Sequence, residues 1–98
     1  MAEEKKTIKV VTITINTRRL FEEREKSLMF KSSVGSKLLV IPKSQIHDFQ
    51  KVTTWFTHWK GRYLHDAFKM KIPLWLYKRN EWLFNAYMED IIVENTHK

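Results

Sequence analysis

The chain has 98 residues, 43% of them hydrophobic and 13% aromatic, with a net charge of +7 and no cysteine. That suffices for one domain with one modest core and is too apolar for a disordered tail. It excludes a disulfide framework, a thiol nucleophile and a cysteine zinc site.

No apolar run approaches the roughly 20 residues that a membrane-spanning helix needs. The first ten residues, MAEEKKTIKV, lack the apolar segment of a signal peptide. The expectation is a soluble, cytoplasmic protein with no membrane partner. Its charge is uneven. From Lys26 to Arg79 there are eleven basic side chains against two acids, Asp48 and Asp66. A field of that sign attracts nucleic acid, anionic membrane or acidic protein surfaces.

In chain order, Thr7 to Ile15 (TIKVVTITI) is almost wholly β-branched and predicts a strand, because branched side chains suit a pleated surface. Its alternation changes phase at Val10–Val11, which predicts either a bulge or a strand buried on both faces. Residues 16–26 are ambiguous: Asn16 or Thr17 could cap a short helix with Arg18 and Glu22 spaced four apart, or Asn16–Thr17 could turn into a second, charged strand or an irregular link, the reading favoured here. Glu22, Glu23 and Glu25 lie there among Arg18, Arg19, Arg24 and Lys26, a self-paired solvated face. SLMFKSS and KLLVIP flank Val34–Gly35–Ser36 and predict a β-hairpin over 27–42, with KLLVI as a buried central strand. Ser44 is a natural helix N-cap and Gly61 a natural stop. Ile46, Phe49, Val52, Phe56 and Trp59 fall on one helical arc, with His47, Lys51, Thr54 and His58 opposite. The spacing therefore predicts a helix over 44–60. A brief helix over 62–71 would bury Tyr63, Leu64, Ala67 and Phe68. Pro73 opens a third over 73–90, with Leu76, Tyr77, Leu83, Phe84, Tyr87 and Ile91 on one arc and Trp75, Trp82 and Ala86 on another. The expected class is α+β: an N-terminal antiparallel sheet of three to four strands followed by two to three helices. The whole chain, 1–98, would be one compact domain with 1–6 and 94–98 frayed. Strands followed by helices resemble, in arrangement, the Whirly and coactivator-type single-strand binders, with none of their motifs matched.

The chemistry is sparse. Gly35 and Gly61 are too far apart for a glycine-rich phosphate loop, and no serine sits in a nucleophile motif. On a helix His47 and His58 would share a face about 16 Å apart, too far for one metal. His58, His65 and Asp66 would meet only if the chain folds back at Gly61, and they offer a single acidic ligand. We therefore expect no catalytic residue, no metal and no cofactor. Most aromatics must be core, with Phe49, Phe56, Phe68, Phe84 and Trp59 inside. Aromatic rings beside cations are also what nucleic-acid binding uses, rings stacking on bases and cations holding phosphates. The residues expected to contact nucleic acid, DNA or RNA, are Lys31, Lys37, Lys43, Lys51, Trp55, His58, Lys60 and Arg62. The stripe of Trp75, Lys78, Arg79, Trp82 and Ala86 is expected to meet a protein partner, a second copy in a homodimer, since Trp and Arg dominate interface hot spots. Three functions compete: a small basic nucleic-acid-binding protein, a protein-interaction module modulating a larger nucleic-acid machine, and a small metal-dependent nuclease. Small, motif-free, aromatic-rich chains in the style of the second occur among phage and archaeal-virus proteins.

Overall fold

The structure is a computed structural model and describes residues 9–31, 37–86 and 90–95. Among these, seven strands form two antiparallel sheets. β1 (Val10–Asn16) passes through a 3₁₀ turn (Thr17–Arg19) into β2 (Leu20–Glu23), β3 (Ser27–Lys31) and β4 (Leu38–Pro42). A second 3₁₀ turn (Lys43–Gln45) leads to β5 (His47–His58) and β6 (Gly61–Pro73). Two short helices, α1 (Leu74–Arg79) and α2 (Glu81–Ala86), precede β7 (Ile91–Asn95). One sheet has the order β5-β6-β1-β7 and the other β2-β3-β4.

A single apolar cluster joins the two sheets and both helices. It contains Val11, Ile13 and Ile15 of β1, Leu28 and Phe30 of β3, Leu39 and Ile41 of β4, Met70 and Ile72 of β6, then Leu76, Leu83, Phe84 and Ile91. The period-two spacing of these residues is what a pleated strand needs to send one face inward. β1 keeps a regular register with both neighbours, and its other face is buried too, through Thr12, Thr14 and Asn16. Of the two readings of its phase change, burial of both faces is therefore the observed one. β3 pairs with β4 from Ser27↔Pro42 to Lys31↔Leu38, the hairpin expected there; its turn lies outside the described residues.

The α+β expectation is overturned: the described residues are mostly β, about 65% of them in strands. The predicted helices 44–60 and 62–71 are β5 and β6, the two longest strands, paired as a hairpin from His47↔Lys71 to His58↔Gly61. The local chemistry explains this. Val52, Thr53, Thr54 and Thr57 are β-branched, and Trp55, Phe56 and Tyr63 are aromatic, all strand formers. The helical arc was a coincidence of spacing that the alternation Val52, Thr54, Phe56, His58 overrides. Gly61 ends no helix; with φ +131° it closes the hairpin, in a region that suits glycine. The predicted helix 73–90 is broken at Asn80, whose carbonyl accepts from Leu83 and Phe84 N–H while its own N–H caps α1. Tyr87 lies outside the described residues. β4 is an edge strand, not a central one, and its Val40 is 43% exposed. Glu94 and Asn95, expected to be frayed, pair in β7 with Thr12 and Val11. No helix among the described residues is long and apolar enough to cross a membrane.

The molecule measures 54 × 27 × 23 Å. Its length comes from the β5–β6 hairpin. β1 covers β6 only from Ala67 to Pro73. Beyond that point Gly61 to Asp66 pair with β5 alone, so a two-stranded ribbon runs on for about 20 Å at the usual rise per residue.

Candidate nucleic-acid interface

The two faces of this ribbon differ. Val52, Thr54, Phe56, His58, Tyr63, His65 and Ala67 share one face and are buried or half-buried. The turn after β1 is bonded to it. Asn16 Nδ2 donates to the Tyr63 hydroxyl at 3.1 Å, and the Thr17 hydroxyl lies 3.5 Å from His65 Nδ1. Phe56, 2% exposed, packs at 6.0 Å from the Tyr63 ring. This is how an arm with no third strand keeps its shape.

Asp90 pins the same turn. Its side chain is wholly buried and accepts from Arg18 Nε at 3.1 Å, from Arg18 Nη2 at 3.2 Å and from Arg19 Nε. Its backbone carbonyl accepts from Asn16 N–H at 2.8 Å. Two arginines on one buried carboxylate satisfy a charge that would otherwise be costly there.

The opposite face is open. Lys51, Thr53, Trp55 and Thr57 of β5 and Arg62, Leu64 and Asp66 of β6 are all exposed on it. The Arg62 guanidinium lies over the Trp55 ring at 5.0 Å. At the tip Trp59, the most exposed large hydrophobic residue described at 78%, has Lys60 Nζ 4.9 Å from its ring. Such cation–π contacts hold long cationic side chains in place beside a ring. Arg18, His58, Lys60, Gly61, Arg62 and Tyr63 line a recess of about 310 Å³ near the tip. Lys60 N–H donates to His58 Nδ1 at 3.2 Å. A neutral His58 ring therefore carries its proton on Nε2 and offers it as a donor. Of the cations in its lining, Lys60 and Arg62 pair with no carboxylate among the described residues, while Arg18 is held by Asp90; Lys60, Arg62 and the His58 donor suit a phosphate or another oxyanion.

The structure thus brings together Lys51, Trp55, His58, Lys60 and Arg62 from the residues expected on sequence grounds, on strands and not on a helix. It separates the other three. Lys31 and Lys37 lie at the end of the β3–β4 hairpin away from β5. Lys43 is in the second 3₁₀ turn and pairs with Glu23 at 2.9 Å. It rims an apolar groove of about 360 Å³ lined by Leu20, Leu28, Ile46, Phe49 and Phe68. There the Phe49 and Phe68 rings stack at 5.5 Å, continuing the ribbon's open face into the body of the protein. Trp59 and Phe49, expected in the core, are exposed. Arg18 and Tyr63 were missed as site residues; strand alternation through Phe56, His58 and Tyr63 was the signal that could have found Tyr63. Asp90 as an anchor left no local signal.

Of the partner stripe, Trp75 and Trp82 are each 52% exposed, and Lys78 and Arg79 are exposed on α1. Ala86 closes α2. The break at Asn80 puts the two tryptophans on separate helices, and no ring contact joins them among the described residues. His58 and His65 both border Tyr63, at 6.4 and 6.2 Å between ring centroids, while the Asp66 carboxylate accepts from the Thr53 hydroxyl on the ribbon's other face. Among the described residues no three potential metal ligands converge.

The site defines a class, a two-sheet antiparallel protein with a projecting basic, aromatic ribbon, and no closer kinship. Compared with known proteins, the chain matches no family model, no curated protein and no solved structure.

Proposed function

We propose that this small basic protein acts without catalysis, by binding nucleic acid along the β5–β6 ribbon. Lys51, Lys60 and Arg62 meet phosphates, with Arg18 and His58 adding donors from the recess, and Trp55 and Trp59 stack on bases. The observation that carries this reading is the ribbon's open face and tip, where exposed rings and cations sit in contact at 5.0 and 4.9 Å. Backbone contact of this kind is largely independent of sequence and falls with salt. With three phosphate contacts, affinity should drop about 20–40-fold between 50 and 200 mM salt. Fluorescence anisotropy with labelled single- and double-stranded oligonucleotides at those two salt concentrations tests it. Binding that weakens in this way, and that is lost in the combined Lys60→Gln, Arg62→Gln variant, supports it. Absence of binding at 50 mM salt overturns it.

A second reading rests on a separate observation, the half-exposed Trp75 and Trp82 beside Lys78 and Arg79. On it the helices dock on another protein and the charge steers the approach. A purified partner whose binding is abolished by Trp75→Ala with Trp82→Ala, yet is indifferent to the ribbon variants, would favour this reading.

A further inference from the structure

β5 is the outer strand of its sheet and runs for twelve residues, where five or six is usual. Between Phe49 and His58 it carries no proline and one charge, Lys51; its register shift lies at the strand's base, between His47 and Gln50. Proteins commonly blunt such an edge with charges, prolines or bulges, because its free peptide groups are a template for another strand.

The pairing pattern identifies those free groups. Leu74 N–H donates to the Lys9 carbonyl at 2.9 Å, in the same register as β1 and β6. Even-numbered residues of β6 therefore turn their peptide groups toward β1, and odd-numbered ones toward β5. Tyr63, His65 and Ala67 bond to Phe56, Thr54 and Val52. That leaves Lys51, Thr53, Trp55 and Thr57 with N–H and C=O directed outward from β5.

These four positions are symmetric about Thr54. Two copies of β5 laid antiparallel about a two-fold axis through Thr54 would place Lys51 opposite the partner's Thr57 and Thr53 opposite the partner's Trp55. All four outward-facing residues would then hydrogen-bond. Between them Val52 would lie beside the partner's Phe56, and Thr54 beside the partner's Thr54. Aromatic with β-branched, and threonine with threonine, are favourable cross-strand neighbours, and no like charges meet. Moving the axis to Trp55 sets Lys51 against the partner's Trp59 in the hairpin turn, and moving it to Thr53 sets Thr57 against the partner's Phe49 at the register shift, so either engages fewer of the four outward residues.

We propose that two copies of this chain join along β5 in this register, making one continuous eight-stranded sheet. The contact uses the strand edge, so the ring-bearing faces of both ribbons stay open, side by side. It needs neither the nucleic-acid reading nor Trp75 and Trp82.

Sedimentation velocity over a concentration series tests it with three variants. The wild type should reach twice the 11.9 kDa chain mass. Thr53→Pro removes an outward N–H that the monomer's ladder does not use, so it should remain folded by circular dichroism and sediment as a monomer. The chain has no cysteine, so Thr54→Cys introduces a single thiol. In the proposed register the two thiols oppose each other in a non-hydrogen-bonded pair, within disulfide reach, whereas thiols in a Val52→Cys variant would be about 13 Å apart along the strands. Mild oxidation should cross-link Thr54→Cys at least tenfold faster than Val52→Cys. A wild type that is monomeric throughout the series, equal cross-linking at both positions, or a dimer that survives Thr53→Pro and is lost in Trp75→Ala with Trp82→Ala would each overturn the proposal.

Discussion

Replacing Asp90 by alanine tests the claim that a buried carboxylate fixes the turn supporting the ribbon. Its side chain is 0% exposed, while the side chains of Arg18 and Arg19 are 47% and 24% exposed. Breaking a fully buried ion pair costs about 3–5 kcal/mol when the survivor is stranded. Here the survivors are the arginines, which reach water, so part of that cost is recovered by hydration. We expect a loss of about 2–3 kcal/mol, from hydrogen bonds to a charged group and the small cavity left behind. The reverse truncation, Arg18→Ala, leaves the carboxylate with Arg19 and should cost about 1 kcal/mol. Urea unfolding followed by far-ultraviolet circular dichroism is the suitable assay, because all four tryptophans are about half exposed or more and their emission should report little on folding. With a slope of about 1–1.5 kcal/mol/M for a chain of this size, the Asp90→Ala midpoint should fall by about 1.5–3 M urea at unchanged slope. A loss below about 1 kcal/mol, or an Arg18→Ala loss as large as that of Asp90→Ala, would refute the reasoning.

Phe30→Ala removes a fully buried ring from the centre of the shared core and should cost about 3–5 kcal/mol by the same urea assay. Gly61→Ala meets no neighbouring atom, but the φ of +131° penalises any side chain, so a loss of about 1–3 kcal/mol without loss of the sheet's circular dichroism signal is expected. Trp55→Ala should weaken single-strand binding by about 5–150-fold, the range for one base stacked on a ring, while leaving the salt slope unchanged; Lys60→Gln should lower that slope by about one contact. Burial, and next the Glu81 carboxylate, push the Tyr77 phenol above its ordinary value. A raised folded value means the associated stability is fully present below the unfolded value and is lost as pH climbs through the folded one. Spectrophotometric titration should therefore show a late phenol, moved back toward its ordinary value by Glu81→Gln.

Some of this was legible in the chain. The run of β-branched residues before Asn16 and the paired apolar runs around Val34–Gly35–Ser36 have strand and hairpin chemistry that tertiary context only reinforces. From Gln45 to Lys71 the sequence carries two periodicities at once. Ile46, Phe49, Val52, Phe56 and Trp59 satisfy a helix, while Val52, Thr54, Phe56 and His58 satisfy a strand. What decides between them is long-range: β6 needs β1 on one side and β5 on the other, and neither pairing is written locally. The misassignment moved side chains in a predictable way. A helix buries Phe49 and Trp59 with Phe56, whereas the hairpin buries Phe56 alone of the three. The cationic residues fared better, because exposed charges on a strand and on a helix both face water; Lys51, Lys60 and Arg62 are exposed under either reading.

The ribbon also shows why its two faces carry such different sequences. A two-stranded hairpin is marginal in water unless one face is packed. Here Phe56 and Tyr63 are closed over by the turn that Asn16 begins and Asp90 holds, so one face supplies the order. The other is then free to carry Trp55, Leu64 and Arg62 without a structural duty. Exposed indoles on a rigid strand bind at a lower entropic cost than the same rings on a loop, since the backbone is already fixed. Loosening the covered face should therefore weaken binding at the open one. Asn16→Ala, which removes the bond to Tyr63 and the one from the Arg18 backbone N–H without truncating any proposed contact side chain, should lower oligonucleotide affinity while leaving the slope of affinity against salt as it was. A changed slope would mean that the covered face itself touches phosphate, and an unchanged affinity would mean that the ribbon holds its shape without the turn.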